Sequence, residues 1–158
     1  MAATLVFQLT GGASNADPTL SLGGTHSSVA LSATAMNTLF DDVAPAEATA
    51  GDIEYRAVDV TNTGDATAVV TKCFMNPDTS STSTELDFGI EASPLGSTLS
   101  IANESTAPAG VSFAHYNTGS KLSLPDIAAG AYCRLWVDRK STRLNSSHIQ
   151  KSRMPSSA

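Results

Sequence analysis

The sequence is poor in aromatic and in charged residues, which make up 6% and 15% of its 158 residues. It has no run of about 18 apolar residues and therefore offers no transmembrane helix. Its first twelve residues lack the basic start and the long apolar centre of a signal peptide, so we expect a protein that folds in a cytoplasm. Its only two cysteines, Cys73 and Cys133, both lie in strand-like patterns. We expect buried free thiols there and not a disulfide.

Serine, threonine, alanine and glycine fill most of the remainder, and little of the chain has helix-forming character. This composition is typical of an all-β protein with many short strands. A length of 158 residues fits one domain with a core of its own.

The segment from Gly51 to Met75 has the strongest β-strand pattern. Its first run, Ile53 to Val60, has apolar side chains on both faces, as in a central strand covered on both sides. Its second run, Ala66 to Met75, is rich in valine and threonine, which suit a packed sheet. Between them, residues 62–65 read Asn-Thr-Gly-Asp, and Asn and Gly tolerate the positive φ of tight turns. The sequence therefore predicts a β-hairpin.

Alternation of apolar and polar residues predicts further strands. In Thr4 to Leu9, the side chains of Leu5, Phe7 and Leu9 share one face, which we expect to be buried. In Thr84 to Ala92 one face is apolar, and the other is acidic and expected to lie in water. Shorter strands are expected at Ser27 to Ala33, Leu99 to Ile101, Val111 to His115, Leu122 to Leu124 and Tyr132 to Val137.

One helix is predicted, from Ala35 to Val43, because its apolar residues recur at three- and four-residue spacing. Thr34 is its expected N-cap, and Pro45 is expected to end it. About eight short strands and one short helix predict an antiparallel β-sandwich or jelly roll.

Basic residues are concentrated near the C-terminus. Residues 1–137 hold four basic and fourteen acidic side chains, a net charge of −10, whereas residues 138–158 hold five basic and one acidic, a net charge of +4. A basic, serine-rich tail on an acidic domain invites interpretation as a nucleic-acid-binding arm. Asp138 to His148 and Arg153 to Ala158, however, back-translate in register to the two ends of a short-read sequencing adapter. We therefore expect residues 138–158 to be a foreign, disordered tail on assembled environmental reads, and residues 1–137 to be the single native domain.

Residue types used in catalysis are present without the spacing that catalysis requires. His26 lies in a Gly-Thr-Ser loop and His115 at a strand end, neither with a carboxylate at a motif spacing, and His148 lies in the tail. A catalytic triad or a metal site needs partners that converge in space, and no Gly-x-Ser-x-Gly motif occurs. We predict a protein that is not an enzyme, with no catalytic, cofactor-binding or metal-binding residues and no cofactor.

Four groups of residues are weaker candidates. Asp41 and Asp42 resemble a carboxylate pair but are interpreted as solvated charge. The acidic strand face, formed by Glu85, Asp87 and Glu91, is interpreted as a solubility surface. Weak calcium binding through loop oxygens stays open, at Asn15, Asp17, Asn76 and Asp78. An aromatic sugar-stacking platform is conceivable from Tyr55, Tyr116, Tyr132 and Trp136. A buried Trp136 in the last strand is the preferred interpretation.

Three stretches share a pattern beyond composition: LTGGASNADPTLSLGG at residues 9–24, the segment from Leu39 to Gly64 containing GDIEYR, and the segment from Ile101 to Val137 ending in YCRLWV. They resemble uncharacterised structural proteins of tailed bacteriophages. The resemblance implies a virion component, a β-sandwich repeated in many copies on a capsid, neck or tail. The turn NTGDATA, residues 62–68, also resembles turns of Ig-like modules of bacterial surface proteins.

The favoured function is therefore that of a phage structural protein in a capsid-decoration, neck or tail position. It would be made in the host cytoplasm, reside in the virion, and dock on other virion proteins or on copies of itself as a homo-oligomer. Neither nucleic acid nor membrane is expected as a partner, since phosphate binding needs clustered Lys and Arg. The alternative is a secreted carbohydrate- or surface-binding Ig-like module, against which the missing signal peptide argues.

Overall fold

The computed structural model of the chain describes residues 1–34, 38–78 and 84–141. Its strands, in chain order, are β1 Leu5–Thr10, β2 His26–Ala30, β3 Ile53–Asn62, β4 Lys72–Cys73, β5 Thr84–Gly89, β6 Leu122–Ser123 and β7 Tyr132–Ser141. Five of them form an antiparallel sheet in the order β2-β1-β3-β7-β5, and β4 pairs with β6 in a second, two-stranded sheet. The predicted all-β fold class is confirmed.

Strand β3 is the centre of the large sheet, as its apolar residues on both faces predict. It pairs with β7 from Ile53 opposite Lys140 to Thr61 opposite Tyr132. On its other edge it pairs with β1 through residues 59–62. Neighbours on both edges and on both faces leave its second half, from Ala57 onward, buried.

The predicted hairpin is wrong, because the run after the turn does not pair with β3. Both edges of β3 are already occupied, by β1 and by β7. The buried Asn62 side chain donates hydrogen bonds to the carbonyl oxygens of Ala66 and Ile127, at 2.8 Å each. Residues from 66 onward therefore lie beside the loop before β7, where Ala68 forms an isolated bridge with Ile127, and only β4 of the predicted second strand is extended.

The hydrophobic core lies between one face of the large sheet and the segments around the small sheet. The large sheet contributes Val58, Val60, Cys133, Leu135 and Val137. The facing residues are Ala68, Leu122, Leu124 and Ile127, each at most 8% exposed. Trp136 and Ala57, adjacent across β7 and β3, are fully buried on the opposite face, so the sheet is covered on both sides at its centre.

The one α-helix among the described residues, α1 Pro45–Ala50, lies after the predicted one. Of the predicted helix, residues 38–43 are described and are not helical, and residues 35–37 lie outside the described part of the chain. Pro45 begins a helix where we expected it to end one, since its fixed φ suits the first helical position. The Glu47 carboxylate accepts from the backbone N–H of Ala44 at 2.6 Å, and Gly51, at φ 74°, closes the helix.

The other strand predictions have mixed outcomes. β1, β2, β5, β6 and β7 lie within or overlap the predicted runs, but residues 99–101 and 111–115 contribute only isolated bridges, through Ser100 and Ala114. Of the β1 side chains expected to be buried, Leu9 is, at 2% exposed, but Leu5 and Phe7 are 39% and 46% exposed. Their strand is long enough to pair with β3, but the core beneath does not extend to this end of the sheet.

Strand β7 continues four residues past Val137, the expected end of the native domain. Residues 138–140 pair with β3 on one side, and residues 138–141 pair with β5 on the other. The described part of β7 therefore runs to Ser141 and includes residues expected to lie outside the native domain. The rest of the expected tail, residues 142–158, lies outside the described residues, and its foreign origin stays a prediction.

Candidate functional site

His26, interpreted from sequence as an exposed loop histidine, lies beside a buried ion pair. The guanidinium of Arg134 donates to both carboxylate oxygens of Asp59, at 2.6 and 3.2 Å, and both side chains are 0% exposed. Nδ1 of His26 lies 2.9 Å from Asp59 Oδ2. Sequence reasoning missed this pair because 33 residues separate the two partners and no motif marks them.

This network holds loops against the sheet. Arg134 also donates to the carbonyl oxygens of Leu99 and Gly24, at 2.9 and 3.0 Å. The ring of His26 stacks on that of Tyr132, with centroids 4.4 Å apart. Every one of these contacts fixes a loop or a strand end, so the chemistry of the network is that of a structural clamp.

The acidic face of β5 is only partly in water. Glu85 is exposed, but Asp87 is 5% exposed. Lys140 Nζ lies 2.5 Å from Asp87 Oδ2, whereas Asp87 Oδ1 is buried and has no hydrogen-bond partner among the described residues. The interpretation of this face as a solubility surface is therefore wrong at Asp87. Glu91, the third member, accepts a hydrogen bond from the hydroxyl of Ser97.

His115 completes this cluster from a neighbouring segment. Its Nε2 lies 3.1 Å from Asp78 Oδ1, and the other oxygen of Asp78 accepts from Asn117 Nδ2 at 3.0 Å. The hydrogen bond with Asp78 raises the pKa of His115. Hydrogen bonds from Asn117 and His115 lower the pKa of Asp78.

Three side chains of this cluster are metal-ligand types. Glu85, Asp87 and His115 each offer one ligand atom, and these atoms lie within 4.8 Å of one another. Imidazole nitrogen and carboxylate oxygen are both common ligands of divalent cations. The sequence showed two of the three as alternate residues of one strand but gave no sign that His115 would join them.

Two buried carboxylates face each other where β5 and β7 pair. Asp87 and Asp138 are directly opposite in register, and neither Oδ1 atom has a hydrogen-bond partner in the described part of the chain. Burial, with the negative charges of Asp87 and Glu85, raises the pKa of Asp138 to about 6, although Lys140 opposes the rise. On the other side of Asp138 the opposite residue is Tyr55 of β3.

The substitution Asp138→Asn is expected to raise the free energy of unfolding by about 1–2 kcal/mol at pH 7.5. The folded-state pKa of about 6 exceeds that of the unfolded chain, so the folded protein binds this proton more tightly. Protonated Asp138 favours the folded state over ionised Asp138. Its contribution to the free energy of unfolding is therefore fully present below about pH 4 and is lost as the pH rises through about 6. Urea denaturation of the two proteins at pH 7.5 and below about pH 4 measures the difference in their free energies of unfolding.

The gain from Asp138→Asn should disappear below about pH 4, where Asp138 is protonated in both states. Asp42→Asn, at an exposed position, is the matched control and should change little at either pH. An equal gain at both pH values would contradict the burial of an ionised Asp138.

The aromatic residues considered as a sugar platform do not share one exposed surface. Trp136 is 0% exposed, as expected. Tyr132 is stacked on His26, and the ring of Tyr55 packs against Phe113 at 5.4 Å between centroids. Sugar stacking needs exposed ring faces, and Tyr116 alone does not supply a platform.

Two of the four loop residues considered for calcium, Asn15 and Asp17, stabilise their own loop. The Asn15 side chain donates to the carbonyl oxygens of Thr10 and Asp17, at 2.6 and 2.9 Å. Asp17 caps the short 3-10 helix Pro18–Leu20 by accepting from the backbone and the hydroxyl of Thr19, which lowers the pKa of Asp17. Oδ1 of Asn15 accepts from the backbone N–H of Asp17 at 3.0 Å, so both residues use a side-chain oxygen within the loop.

An apolar hollow of about 560 Å³ lies between the core face of the large sheet and the segments 38–43 and 73–74. Its lining is mainly aliphatic and aromatic, with Phe7, Leu31, Leu39, Phe40, Phe74, Leu86, Phe88, Leu135 and Val137 among its residues. At the polar end of the hollow, the guanidinium of Arg139 bonds to the carboxylates of Glu54 and Asp41. Its Cζ atom lies 4.9 Å from the centroid of the Phe40 ring. Sequence reasoning missed the hollow because it placed a helix over residues 38–43.

Both cysteines are free thiols, as expected. Burial raises the pKa of Cys73 to about 11 and that of Cys133 to about 12. A thiol must ionise to act as a nucleophile, so neither cysteine is activated at neutral pH. Both pack in or against the core.

Comparison of the chain with protein-family models, with curated proteins and with solved structures gives no match. In the described ranges, no helix combines the length and the apolar character needed to cross a bilayer. Any inference about function therefore depends on the side chains and surfaces of the fold itself.

Proposed function

We propose that this chain is a structural component of a tailed-phage particle, in a capsid-decoration, neck or tail position, that acts by docking and not by catalysis. Its partners are other virion proteins or copies of itself. The observation that carries this proposal is the apolar hollow, beside which β1 leaves Leu5 39% and Phe7 46% exposed. Soluble proteins rarely expose contiguous apolar surface without a partner to cover it.

The favoured occupant of this surface is a second copy of the chain. A recess and protruding apolar side chains lie together, since Phe7 lines the hollow and Leu5 precedes it by two residues on the same strand. An interface with two-fold symmetry uses the same patch on both subunits. A patch that holds both a knob and a recess can therefore complement itself.

The polar side chains support a docking role over a catalytic one. The clamp of Asp59, Arg134 and His26 holds loops, and the thiols of Cys73 and Cys133 are not activated. We also propose that the fold is a β-sandwich. The core supports this assignment, because one face of the large sheet packs there against residues beside β4 and β6.

The substitution Phe7→Asp is expected to convert a self-associating protein into a monomer. A carboxylate at this position would lose its water on entering the interface. The free energy of this desolvation is far larger than the free energy that the Phe7 side chain contributes to association. Sedimentation velocity from about 1 to 100 µM, the range in which weak dimers dissociate, measures the change.

Leu20→Asp is the matched control, since Leu20 is 56% exposed and does not line the hollow. It should leave association unchanged. A native-sequence protein that stays monomeric at every concentration, and is absent from purified particles, would overturn the proposal. Portal, capsid or tail genes beside this gene would support it.

A further inference from the structure

The backbone brings His115 next to Asp87 by antiparallel pairing. Phe88 and Ala114 exchange both backbone hydrogen bonds, at 3.0 and 3.1 Å. In antiparallel register the residue before Phe88 is opposite the residue after Ala114, so Asp87 and His115 are cross-strand neighbours. Glu85, two residues earlier on β5, points to the same face.

One oxygen of Asp87 is directed into this cluster without a partner. The Asp87 side chain is 7% exposed, and its Oδ1 makes no hydrogen bond within the described ranges, whereas Oδ2 is 2.5 Å from Lys140 Nζ. A buried polar atom without a partner is costly and is rare in folded proteins. Oδ1 lies 3.5 Å from Nδ1 of His115.

The distances from Nδ1 of His115 to the two carboxylate oxygens are typical of atoms that bind the same cation and are too long for good hydrogen bonds. Nδ1 of His115 is 3.5 Å from Asp87 Oδ1 and 3.7 Å from Glu85 Oε1, both beyond good hydrogen-bond length. Ligands at about 2.0–2.2 Å from a tetrahedral zinc ion lie roughly 3.3–3.6 Å from one another. Nδ1 of His115 therefore lies from each carboxylate oxygen at about the spacing of two ligands of one cation, and all three ligand atoms lie within 4.8 Å of one another.

The orientation of His115 is fixed from behind. Its Nε2 is paired with Asp78, which Asn117 holds in turn. A histidine that ligates a metal usually donates its other ring N–H to a carboxylate, which sets the tautomer. In the tautomer whose Nε2–H donates to Asp78, Nδ1 carries the lone pair and can bind a cation. Nδ1 also lies 3.2 Å from the carbonyl oxygen of Leu86, which it can contact as a donor only when protonated.

We propose that Glu85, Asp87 and His115 bind one divalent first-row transition-metal cation, of which Zn²⁺ is the representative. Nδ1 of His115, Oδ1 of Asp87 and Oε1 of Glu85 are the protein ligands, and water fills the remaining position. Imidazole favours this class of cation over Ca²⁺ and Mg²⁺, which prefer oxygen. The site does not depend on the proposed docking function and would tie β5 to the segment carrying His115.

The test is isothermal titration of the chelator-treated full chain with ZnCl₂ at pH 7.5, and visible absorption of the Co²⁺ form. One Zn²⁺ should bind per chain. His115→Ala and Asp87→Asn should each weaken binding at least about tenfold, since even second-shell changes cost about 10–100-fold. Asp78→Asn should weaken binding within that range while leaving all three ligands in place.

His26→Ala and His148→Ala are the matched controls and should leave the affinity unchanged. Lys140→Met should tighten Zn²⁺ binding, because it removes a positive charge 2.5 Å from Asp87. If the cluster were only a structural ion pair, Lys140→Met would not tighten Zn²⁺ binding. This result distinguishes the two cases even where the other variants affect folding. Zn²⁺ binding that is absent at millimolar metal, or that is unaffected by His115→Ala, would overturn the proposal. Preference for Ca²⁺ over Zn²⁺ would do so as well.

Discussion

The substitution Arg134→Met is expected to lower the free energy of unfolding by about 3–5 kcal/mol, the usual cost of removing one partner of a buried ion pair. Asp59 would keep its charge at a position that is 0% exposed, with the half-buried His26 as its remaining side-chain partner. The carbonyl oxygen of Gly24 would lose its Arg134 donor, and that of Leu99 would keep only the backbone N–H of Gly24. Urea denaturation at pH 7 measures the loss.

Two further variants identify the cause of this loss. Lys72→Met removes a positive charge at an exposed position and should cost less than about 0.5 kcal/mol. The double change Asp59→Asn with Arg134→Met leaves no unpaired charge and should recover part of the loss, giving a favourable coupling in a double-mutant cycle. If Arg134→Met alone cost no more than Lys72→Met, the buried pair would not be acting as a clamp.

The parts of the fold that the sequence predicted well are those where one strand determines its own environment. β3 has apolar residues on both faces, and it lies at the centre of the sheet. Trp136 in β7 is buried as expected. In such runs the local pattern and the tertiary environment agree, so periodicity is sufficient.

The hairpin prediction failed because a turn signal specifies only local geometry. The chain bends at residues 64–66, after Asn62 ends β3, and Asn62 uses its side chain to hold residues 66 and 127 and not to align a partner strand. Which strand pairs with the centre of a sheet is decided by competition with distant segments. Here β1 and β7 occupy both edges of β3, and nothing local to residues 51–75 records that outcome.

The candidate site was invisible in the sequence for a related reason. Asp87 and His115 meet through one isolated bridge between segments that are 28 residues apart, and Asp78 adds a third segment. An alternating acidic strand looks the same whether its polar face meets water or another segment. Only the tertiary position of residues 112–115 distinguishes the two, by covering Asp87 and leaving Glu85 exposed.

Residues 138–141, predicted to be foreign, continue strand β7 in the structure. Their backbone pairing continues β7 regardless of sequence, and the acidic surroundings offer partners to Arg139 and Lys140. Asp138 fits less well, being opposite Asp87 with one oxygen unpaired, and Nε of Arg139 is unpaired too, among the residues described. Among the described residues, those of the range 1–137 hold buried unpaired atoms as well, at Gln8, Arg56, Thr61, Asp87 and Trp136, so imperfect pairing is not confined to the residues predicted to be foreign.

The substitution Gly23→Ala is expected to lower the free energy of unfolding by about 3–5 kcal/mol, combining left-handed strain with overpacking. Gly23 has φ +86°, and an added Cβ would lie 2.1 Å from the carbonyl oxygen of Leu99 and 3.0 Å from Trp136 Cη2. Neither neighbour can move freely, because Leu99 accepts from Arg134 and Trp136 is fully buried. Denaturation followed by the fluorescence of the single tryptophan reports both stability and local packing.

Gly130→Ala separates the two causes of that loss. Gly130 has a similar φ, +76°, but an added Cβ would meet nothing within 4 Å in the described part of the chain. It should therefore lose only about 1 kcal/mol, from backbone strain alone. The difference between the two variants measures how tightly the loop at Gly23 is packed on Trp136 and Leu99. Equal losses at both positions would mean that this loop can withdraw from the sheet, and that the clamp at Arg134 does not hold it.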